Sequence, residues 1–528
     1  MDWFLSGSPN WPFSIRIGSI TVGRVLDLAF APDRAAGEPV YRQLGRYLHD
    51  LVAARRLAPG ERLPASRALA TSLGVSRNTV NQAYQSLADQ GLLRAHVGQG
   101  TFVSSRADAG AVRAAGAAST PRALAWEGLL ARRARAPIAP RDLVAHPGPH
   151  RVEFAFRPRR VARSLFPVAA WKRASAQALD ELPALADEIS PQGYAPLREV
   201  VARALLARGI VCAAQDVMIV DGAQQGLDLV ARALVDPGDA VAIEQPGWFG
   251  AAAAFRASEA HLLGVPVDEQ GLSTDGLARL LRTRRVKLLF TTPAVQSPTG
   301  VALSEARRRE LLALADEYQL AIAEDDYDGE LRYEGPAPPA LKTHDRAGQV
   351  IYLGTFSKAL FPGLRLGYLV APRPLLARLS LLRFAADVHG NVLAQATVAR
   401  LIESGAFERH VRRVRSLYAE RRAALCEALR AHMPDGVAWR PPAGGNSIWL
   451  GLPADADVAQ VFAVAAAHGI ALQAGSPFAF EGSDAASDAD RHLVLSFANL
   501  PRERAEEGVA RLADAVRRAL PARRRRSR

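Results

Sequence analysis

The segment that decides the fold reads Gly354-Thr-Phe-Ser-Lys-Ala-Leu-Phe-Pro-Gly-Leu-Arg-Leu-Gly-Tyr368. It follows Val350-Ile-Tyr-Leu353, an apolar run that predicts a buried strand. Lys358 therefore lies between a strand end and a Pro-Gly turn, in a chain where 4 of the 66 basic residues are lysine. A desolvated lysine amine is a better nucleophile, and it forms a Schiff base with an aldehyde. The alternative is an ordinary, partly exposed loop lysine, and the neighbouring motifs must decide between the two.

The composition bounds the class of protein. A chain of 528 residues with 49% hydrophobic residues predicts two or three domains with a large core. Residues 1–150 contain 18 arginines and 10 acidic residues, so they hold +8 of the net charge of +13, which indicates a polyanionic partner for this part. Cys212 and Cys426 are far apart in the chain and match neither a disulfide framework nor a metal-site spacing. With no signal peptide and no apolar run that would span a membrane, we expect a cytoplasmic protein.

Residues 37–104 carry the signals of a winged helix-turn-helix. Three helices are predicted, over residues 40–54, 67–73 and 77–90. Ser66 and Ser76 are the expected N-caps of the second and third helices, and Gly74 is the expected C-cap of the second. Two short strands, over residues 92–96 and 101–104, then form a wing. Two helices joined by a short turn that contains glycine are typical of a helix-turn-helix.

The third helix is polar over its first two turns, where a helix that reads the major groove presents its side chains to base edges. Arginines before and after this helix are suited to phosphate contacts. The alternative is a small helical module for protein contacts. The residues predicted to contact DNA are Arg67, Ser76, Arg77, Asn78, Thr79, Gln82, Gln99 and Gly100.

This run of about 65 residues closely resembles the winged-helix domain of the GntR family of bacterial regulators. The matching motifs are Val40-Tyr-Arg-Gln43, Leu57-Ala-Pro-Gly60, Arg62-Leu-Pro-Ala-Ser-Arg67, Leu73-Gly-Val-Ser-Arg77 and Gly98-Gln-Gly-Thr-Phe-Val103. The resemblance implies that the partner of this module is double-stranded DNA.

Residues 105–150 are rich in Ala, Arg, Gly and Pro and predict a tether with one short helix near residues 125–134. From residue 151 to about 520, helices alternate with short apolar runs. Such alternation predicts an α/β domain with a mainly parallel sheet, whose ligands gather beyond the carboxyl ends of the strands. The predicted strands are residues 217–220, 240–243, 287–291, 321–324 and 350–353.

The informative clusters follow these strands. Asp221-Gly-Ala-Gln-Gln-Gly226 opens a helix whose N-terminus would bind a phosphate, and Trp248 would stack on a flat ring. Glu324-Asp-Asp-Tyr327 offers a carboxylate for a pyridinium N–H and a hydroxyl donor. Each signal alone is compatible with an ordinary turn or core residue. Together with Lys358 they supply what pyridoxal 5′-phosphate requires.

The order of these clusters resembles the fold-type I aminotransferases over roughly residues 150–520. Also part of the resemblance are Gln192-Gly-Tyr-Ala-Pro-Leu-Arg198 and Gly444-Gly-Asn-Ser-Ile-Trp-Leu450. It implies a smaller C-terminal α+β subdomain, and it assigns Lys358 as the Schiff-base lysine. The resemblance also assigns the cofactor contacts: Asp325 to the ring nitrogen, Tyr327 to the ring hydroxyl, Trp248 to the ring face, Ala223, Gln224, Thr355 and Arg365 to the phosphate, and Ser357 beside them.

A winged helix joined by a tether to an aminotransferase-like domain resembles the MocR/GabR subfamily of GntR-type regulators. The resemblance implies a homodimer, with head-to-tail swapped domains in many members. It also implies a transcriptional regulator that carries the cofactor and senses a small-molecule effector: an amine, an amino acid or the cofactor itself.

Three positions depart from the aminotransferase pattern. Val494 stands in Leu493-Val-Leu-Ser-Phe497 where the family has an arginine that grips the substrate carboxylate, and valine cannot make that bidentate contact. Arg491 would turn to the other face of a strand. Ser297 replaces an asparagine, and Glu188 stands where a tyrosine reaches the phosphate of the partner subunit. We therefore expect poor transamination of ordinary α-amino acids.

Two alternatives to a cofactor-dependent regulator remain: a working aminotransferase with an accessory DNA-binding module, and a GntR-type repressor that binds a metabolite without a Schiff base.

Overall fold

The structure, a computed structural model, describes residues 30–33, 37–96, 99–104, 126–135, 152–157, 165–181, 190–335, 337–480 and 488–521. The chain divides into two compact units, Met1–Trp126 and Glu127–Arg528. Most of the predicted tether, residues 105–150, lies outside the described residues, as does Glu188. Where the sequence predicts one short helix, there are two helices of one turn each, α4 (Trp126–Leu129) and α5 (Arg132–Arg135).

Three helices and a two-stranded sheet form the first unit: α1 (Val40–Ala53), α2 (Ser66–Leu73), α3 (Arg77–Asp89), β1 (Leu93–His96) and β2 (Gly100–Val103). The strands are antiparallel, with Leu93 opposite Val103. Leu44, Leu48, Val80 and Leu87 are buried in the centre of this unit because apolar residues recur at helical spacing. The predicted winged helix-turn-helix is confirmed.

The two predicted serine caps turn out differently. Ser76 caps α3, since its hydroxyl accepts a hydrogen bond from the backbone N–H of Thr79 at 3.0 Å. The prediction for Ser66 is wrong, because Ser66 is the first residue of α2 and the cap position is Ala65, which makes no side-chain bond. Gly74 ends α2 in the left-handed conformation (φ 61°), as predicted.

The second unit contains an eight-stranded sheet with the order β4-β11-β10-β9-β8-β5-β6-β7. Neighbouring strands from β10 through β9, β8 and β5 to β6 run parallel, whereas β11 is antiparallel to both β10 and β4. β7 pairs antiparallel with β6. The strand bounds are β4 (Val217–Val220), β5 (Ala240–Gln245), β6 (His261–Asp268), β7 (Gly271–Leu272), β8 (Val286–Thr291), β9 (Ala321–Asp326), β10 (Val350–Thr355) and β11 (Gly367–Val370).

Helices cover both faces of this sheet. Alternate residues of a strand point to opposite faces, so Tyr352 packs in one apolar cluster while Ile351 and Leu353 pack in another. The helices are α6 (Val168–Asp180), α7 (Ala195–Leu206), α8 (Ala223–Leu234), α9 (Phe249–Ala257), α10 (Thr274–Thr283), α11 (Glu305–Tyr318), α12 (Leu341–His344), α13 (Arg373–Asp387) and α14 (Val392–Glu403). The predicted mainly parallel α/β sheet is confirmed.

A smaller α+β region follows the long helix α15 (Ala406–His432). Its four-stranded sheet has the order β12-β13-β16-β15 and is antiparallel throughout. A short parallel pair joins β3 and β14. The remaining elements are β3 (Phe154–Ala155), β12 (Ala438–Trp439), β13 (Ser447–Gly451), α16 (Val458–Ala467), β14 (Ile470–Ala471), β15 (Gln473–Ala474), β16 (His492–Ser496) and α17 (Ala505–Arg518). The predicted C-terminal subdomain is confirmed.

Four short 3-10 helices complete the described elements: Ala214–Asp216, Pro362–Leu364, Ser476–Phe478 and Arg502–Arg504. Among the described helices, none has the length and apolar character needed to cross a membrane.

Candidate functional site

A cavity of about 170 Å³ lies beyond the carboxyl ends of β4, β9 and β10 in the second unit. Each of these strands is followed by a polar turn, so side chains from distant parts of the sequence meet there. The structure brings all nine residues predicted to bind the cofactor to the wall of this cavity: Ala223, Gln224, Trp248, Asp325, Tyr327, Thr355, Ser357, Lys358 and Arg365.

Three successive carboxylates end β9, and only the middle one faces the cavity. Glu324 accepts hydrogen bonds from the backbone N–H groups of Leu341 (2.8 Å) and Lys342 (2.9 Å), which begin α12. Asp326 accepts a hydrogen bond from the Tyr352 hydroxyl at 2.6 Å. Asp325 points to the opposite side of the strand, as alternation requires.

The neighbour of Asp326 on the same face is Arg208, with which it forms an ion pair. The Oδ1 atoms of Asp325, Asp326 and Asp328 are all buried and have no hydrogen-bond partner among the described residues. Of these three carboxylates only Asp325 lines the cavity, so it is the one that a ligand there can reach.

The electrostatics of the cavity follow from burial. Burial raises the pKa of Asp325 to about 7, the Asp326 carboxylate adds to the rise, and the Lys358 ammonium opposes it. Burial also raises the pKa of the Tyr327 phenol well above its usual value, with a contribution from Asp328, while a hydrogen bond with Ser297 opposes the rise. Tyr327 is therefore a protonated hydroxyl that donates, and Lys358 Nζ lies 5.2 Å from the centre of its ring.

One end of the cavity is built to hold an anion. Gly222 caps α8 with φ 84°, and no side chain caps this helix, so the N–H groups of Ala223 and Gln224 point outward without intrahelical acceptors. Arg365 lies beside this helix start and donates to the backbone oxygen of Asp221 at 3.0 Å. A Cβ added at Gly222 would lie 3.0 Å from the Arg365 guanidinium, so glycine keeps the two close.

Hydroxyl groups complete this end. The backbone N–H of Ser357 donates to Thr355 Oγ1 at 3.1 Å, which orders the turn before Lys358. Ser357 Oγ is buried and has no partner among the described residues. The Gln224 side chain, in contrast, donates a hydrogen bond to the backbone oxygen of Gly250 at 2.7 Å, so its amide nitrogen is already bonded within the protein.

Trp248 forms part of the wall between the two ends. Its indole packs against Phe249, with ring centres 4.3 Å apart. A Cβ at Gly250 would lie 2.4 Å from Trp248 Nε1, so glycine at this position lets the indole lie against the start of α9. Trp248 lies at the cavity where the sequence places it; its stacking on a cofactor ring stays a prediction.

The other end of the cavity comes from the smaller sheet. Val494 of β16 is 2% exposed and packs with Phe249 and Phe478. Arg491 is turned away, and its guanidinium bonds to Asp488 at 3.0 Å rather than lining the cavity. The side-chain amides of Asn446 and Gln473 belong to this end as well, together with Ser447.

Asn446, Ser447, Gln473 and Phe478 were not among the residues proposed from the sequence. The Gly444-Gly-Asn-Ser-Ile-Trp-Leu450 motif contains the signal for Asn446 and Ser447, since two glycines before a strand mark a close approach of backbone segments. A Cβ at Gly444 would lie 2.9 Å from the Leu331 backbone oxygen. Gln473 and Phe478 lie in a region with no local motif, and only the pairing of β15 with β16 brings them here.

In the first unit, the residues predicted to contact DNA lie on α2 (Arg67), on α3 and its N-cap (Ser76 to Gln82) and at the start of β2 (Gln99 and Gly100). Arg67, Ser76, Arg77, Asn78, Gln82 and Gln99 are exposed, and Thr79 and Gly100 are half-buried. The Ser76 hydroxyl also contacts the Thr79 hydroxyl at 2.8 Å, so these two side chains serve the helix cap. Among the predicted residues, Arg77, Asn78 and Gln82 are left as exposed polar side chains of the first turns, where Asn81 is exposed too. Their contacts with bases stay a prediction.

Comparison with known proteins identifies both units. Residues 160–512 match the model of the family described as aminotransferase class I and II, and residues 40–103 match that of the bacterial regulatory proteins of the gntR family. The chain is 36% identical to the probable rhizopine catabolism regulatory protein MocR of Rhizobium meliloti, over 76% of this chain and 80% of that protein. It is 34% identical to the HTH-type transcriptional regulator TauR of Rhodobacter capsulatus, over 88% of this chain and 93% of that protein.

A solved structure with a similar fold is LysN, the alpha-aminoadipate aminotransferase of Thermus thermophilus, complexed with N-(5′-phosphopyridoxyl)-L-leucine. The TM-score is 0.68 and the identity 34%, over 75% of this chain and 99% of that chain. That match covers 75% of this chain, whereas the match to TauR covers 88%.

Proposed function

We infer that this chain is a transcriptional regulator that binds DNA and carries pyridoxal 5′-phosphate. It belongs to the aminotransferase class I and II family and, through its GntR-family winged helix, to the MocR/GabR subfamily of regulators. The single observation that carries the proposal is the presence, in one chain, of an exposed polar helix of the DNA-reading type and a cavity lined by both Lys358 and Asp325, whose buried Oδ1 has no partner among the described residues.

The cavity residues suit the chemistry of the cofactor. Ala223 and Gln224 offer backbone N–H groups to the phosphate, with Arg365 beside them. Asp325 Oδ1 and Ser357 Oγ, both buried and without hydrogen-bond partners in the part of the chain that the structure describes, match a pyridinium N–H and a phosphate oxygen. When bound, pyridoxal 5′-phosphate supplies an aldehyde for a primary amine and a ring that withdraws electrons. Lys358 is positioned to provide the amine of the protein.

We propose that the effector is a small molecule that competes with Lys358 for the cofactor. Tyr327 remains protonated and orients the ligand by donating a hydrogen bond, while Trp248 and Phe249 exclude water from one wall. A ligand bound there contacts β16 of the smaller sheet and α8 of the larger region at once. Contacts to both regions allow occupancy of the cavity to change their arrangement, which is the physical basis for a sensor.

A homodimer is part of the same proposal. Leu381, Phe384 and Val388 are 62%, 56% and 40% exposed, and their spacing places them on one side of α13 and its C-terminal end. Apolar side chains exposed in such a row are typical of a surface that another chain covers. Two copies would present two recognition helices to two half-sites, and swapped domains would suit the predicted tether.

Substitution of Lys358 tests the proposal. We expect the purified protein to show the visible absorbance of a lysine-bound cofactor, and we expect Lys358→Ala to lose it while the far-ultraviolet circular dichroism is unchanged. Lys172→Ala is the matched control, since Lys172 is an exposed lysine of α6. A colourless wild-type protein would favour the alternative of a repressor that binds a metabolite without a Schiff base. Robust turnover of a standard amino acid with 2-oxoglutarate would favour the aminotransferase alternative.

A further inference from the structure

The two ends of the cavity differ in charge. Two cationic side chains, Lys358 and Arg365, are among the described residues that line it. Lys358 Nζ lies over the Tyr327 ring, 5.2 Å from its centre, and Arg365 is at the anion-binding end beside Gly222, where a phosphate takes its charge. The end formed by the smaller sheet has no cationic lining residue in the described part of the chain.

The basic residues closest to that end along the chain are engaged elsewhere. The Arg491 guanidinium bonds to Asp488 at 3.0 Å. The His492 ring stacks on Trp449, with 4.6 Å between ring centres and 8° between planes, and its Nδ1 lies 2.8 Å from the Asp488 backbone oxygen. Neither residue lines the cavity.

What fills this end is an apolar cluster. Phe249, Phe478 and Val494 are 5%, 2% and 2% exposed, and Trp248 and Trp449 pack against them. Phe249 and Phe478 meet edge to face at 5.1 Å. Asn446 and Gln473 add neutral amides, which can bond to an uncharged group but cannot offset a full charge. An ionised carboxylate placed here would lose its hydration without gaining a cationic partner.

We propose that the effector of this cavity is an apolar primary amine that bears no carboxylate on the carbon next to its nitrogen, and that Val494 determines this choice. The inference rests on the proposed function, since it presumes a ligand amine that meets the cofactor at Lys358. The nitrogen is directed toward Lys358, and an aryl or alkyl body packs against Phe249, Phe478 and Val494. An α-amino acid of the same body is disfavoured because its carboxylate has no partner there.

The test compares two ligands that differ by one carboxylate, 2-phenylethylamine and L-phenylalanine. The full-length protein loaded with pyridoxal 5′-phosphate is titrated with each, while the visible absorbance and the midpoint of thermal unfolding are followed. We expect half-saturation by the amine at a concentration at least about 10-fold lower than by the amino acid, because a desolvated carboxylate is costly without a cation. Equal or tighter binding of L-phenylalanine overturns the proposal.

Val494→Arg sharpens the test. An arginine at this position offers the two parallel donors that a carboxylate accepts, so the order of the two ligands should reverse. Val211→Arg is the control, because Val211 is 84% exposed and lies outside the cavity. It should keep the wild-type order. Should Val494→Arg fail to fold, the wild-type comparison alone still decides.

Failure of this inference and failure of the proposed function are distinguishable. A wild-type protein that shows the lysine-bound absorbance and binds DNA, but responds to 2-phenylethylamine no more strongly than to L-phenylalanine, overturns the inference alone. A protein without that absorbance overturns both.

Discussion

Asp325 illustrates how one side chain acquires a role that its neighbours lack. Glu324, Asp325 and Asp326 are chemically alike, and the sequence alone does not rank them. Strand alternation separates Asp325 from the other two, and the two that face away are paired with backbone N–H groups, a tyrosine and an arginine. Asp325 is left buried beside the cavity, with a pKa raised to about 7 chiefly by burial.

This raised pKa makes the cofactor-free protein sensitive to pH. A carboxyl whose folded-state pKa is about 7 and whose unfolded-state value is about 4 takes up a proton on folding between those limits. The unfolded state then binds fewer protons than the folded state, so the free energy of unfolding decreases as pH rises from about 4 to about 7. Burial also raises the pKa of Glu324 to about 7 and that of Asp328 to about 6. Both groups therefore contribute to the same decrease in the free energy of unfolding as pH rises.

We therefore expect the thermal unfolding midpoint of the cofactor-free protein to decrease as the pH is raised from 5 to 7.5. Asp325→Asn should make this dependence of the midpoint on pH less steep. Asp435→Asn is the matched control, because Asp435 is exposed. Thermal unfolding in a series of buffers of constant ionic strength measures the effect. An identical slope in wild type and Asp325→Asn would show that Asp325 is ionised in both states. Addition of pyridoxal 5′-phosphate should flatten the wild-type slope, since a pyridinium favours the carboxylate.

At the scale of elements, the cap of the recognition helix gives a contrast between two serines. Ser76 accepts the N–H of Thr79 at 3.0 Å, whereas Ser66 is inside α2 and makes no cap bond. Loss of an N-cap hydrogen bond costs about 1 kcal/mol. We expect Ser76→Ala to speed amide hydrogen exchange across residues 77–89 about five-fold, and Ser66→Ala to leave that segment nearly unchanged. Similar exchange in both variants would contradict the assignment of the cap.

Much of the element pattern could be predicted from the sequence because it is local. Apolar runs followed by polar turns predicted β4, β5, β8, β9 and β10, and the carboxyl ends of parallel strands brought the predicted cofactor residues to one cavity. Pairings between distant segments could not be predicted in this way. β11, which runs antiparallel between β4 and β10, has no signature that distinguishes it from the loop before it.

The same reason explains the site residues that the sequence did not reveal. Arg208 pairs with Asp326 although 118 positions separate them in the chain, whereas Asp325 is the carboxylate of this turn that lines the cavity. Gln473 and Phe478 enter the cavity through the pairing of β15 with β16. In the sequence, Val494 differs from the related family pattern but has no local motif, and the structure adds the aromatic neighbours that give the difference a chemical meaning.

At the scale of the whole molecule, charge is distributed to suit DNA at one end of the chain. Arg77 is exposed at the start of α3, where a guanidinium can read a base edge. We expect Arg77→Ala to weaken binding to DNA from the region upstream of its own gene by about 1–3 kcal/mol. Arg279→Ala is the control, because it removes the same charge from an exposed position on α10 of the other unit. Fluorescence anisotropy at fixed salt measures both, and equal losses would mean that Arg77 contributes only net charge.

A regulator must also couple its two units, and thermodynamics constrains how that coupling is measured. If a ligand in the cavity changes the affinity for operator DNA by some factor, DNA must change the affinity for the ligand by the same factor. We expect half-saturation by 2-phenylethylamine to shift about five-fold or more when operator DNA is added, and an equal shift in the affinity for DNA when the amine is added. A non-operator duplex of equal length is the control, since its charge is the same.

In Lys358→Ala the DNA affinity should persist while the coupling is lost, because the winged helix is intact and the cofactor is no longer held by the lysine. Identical ligand affinity with and without operator would mean that the cavity does not control DNA binding.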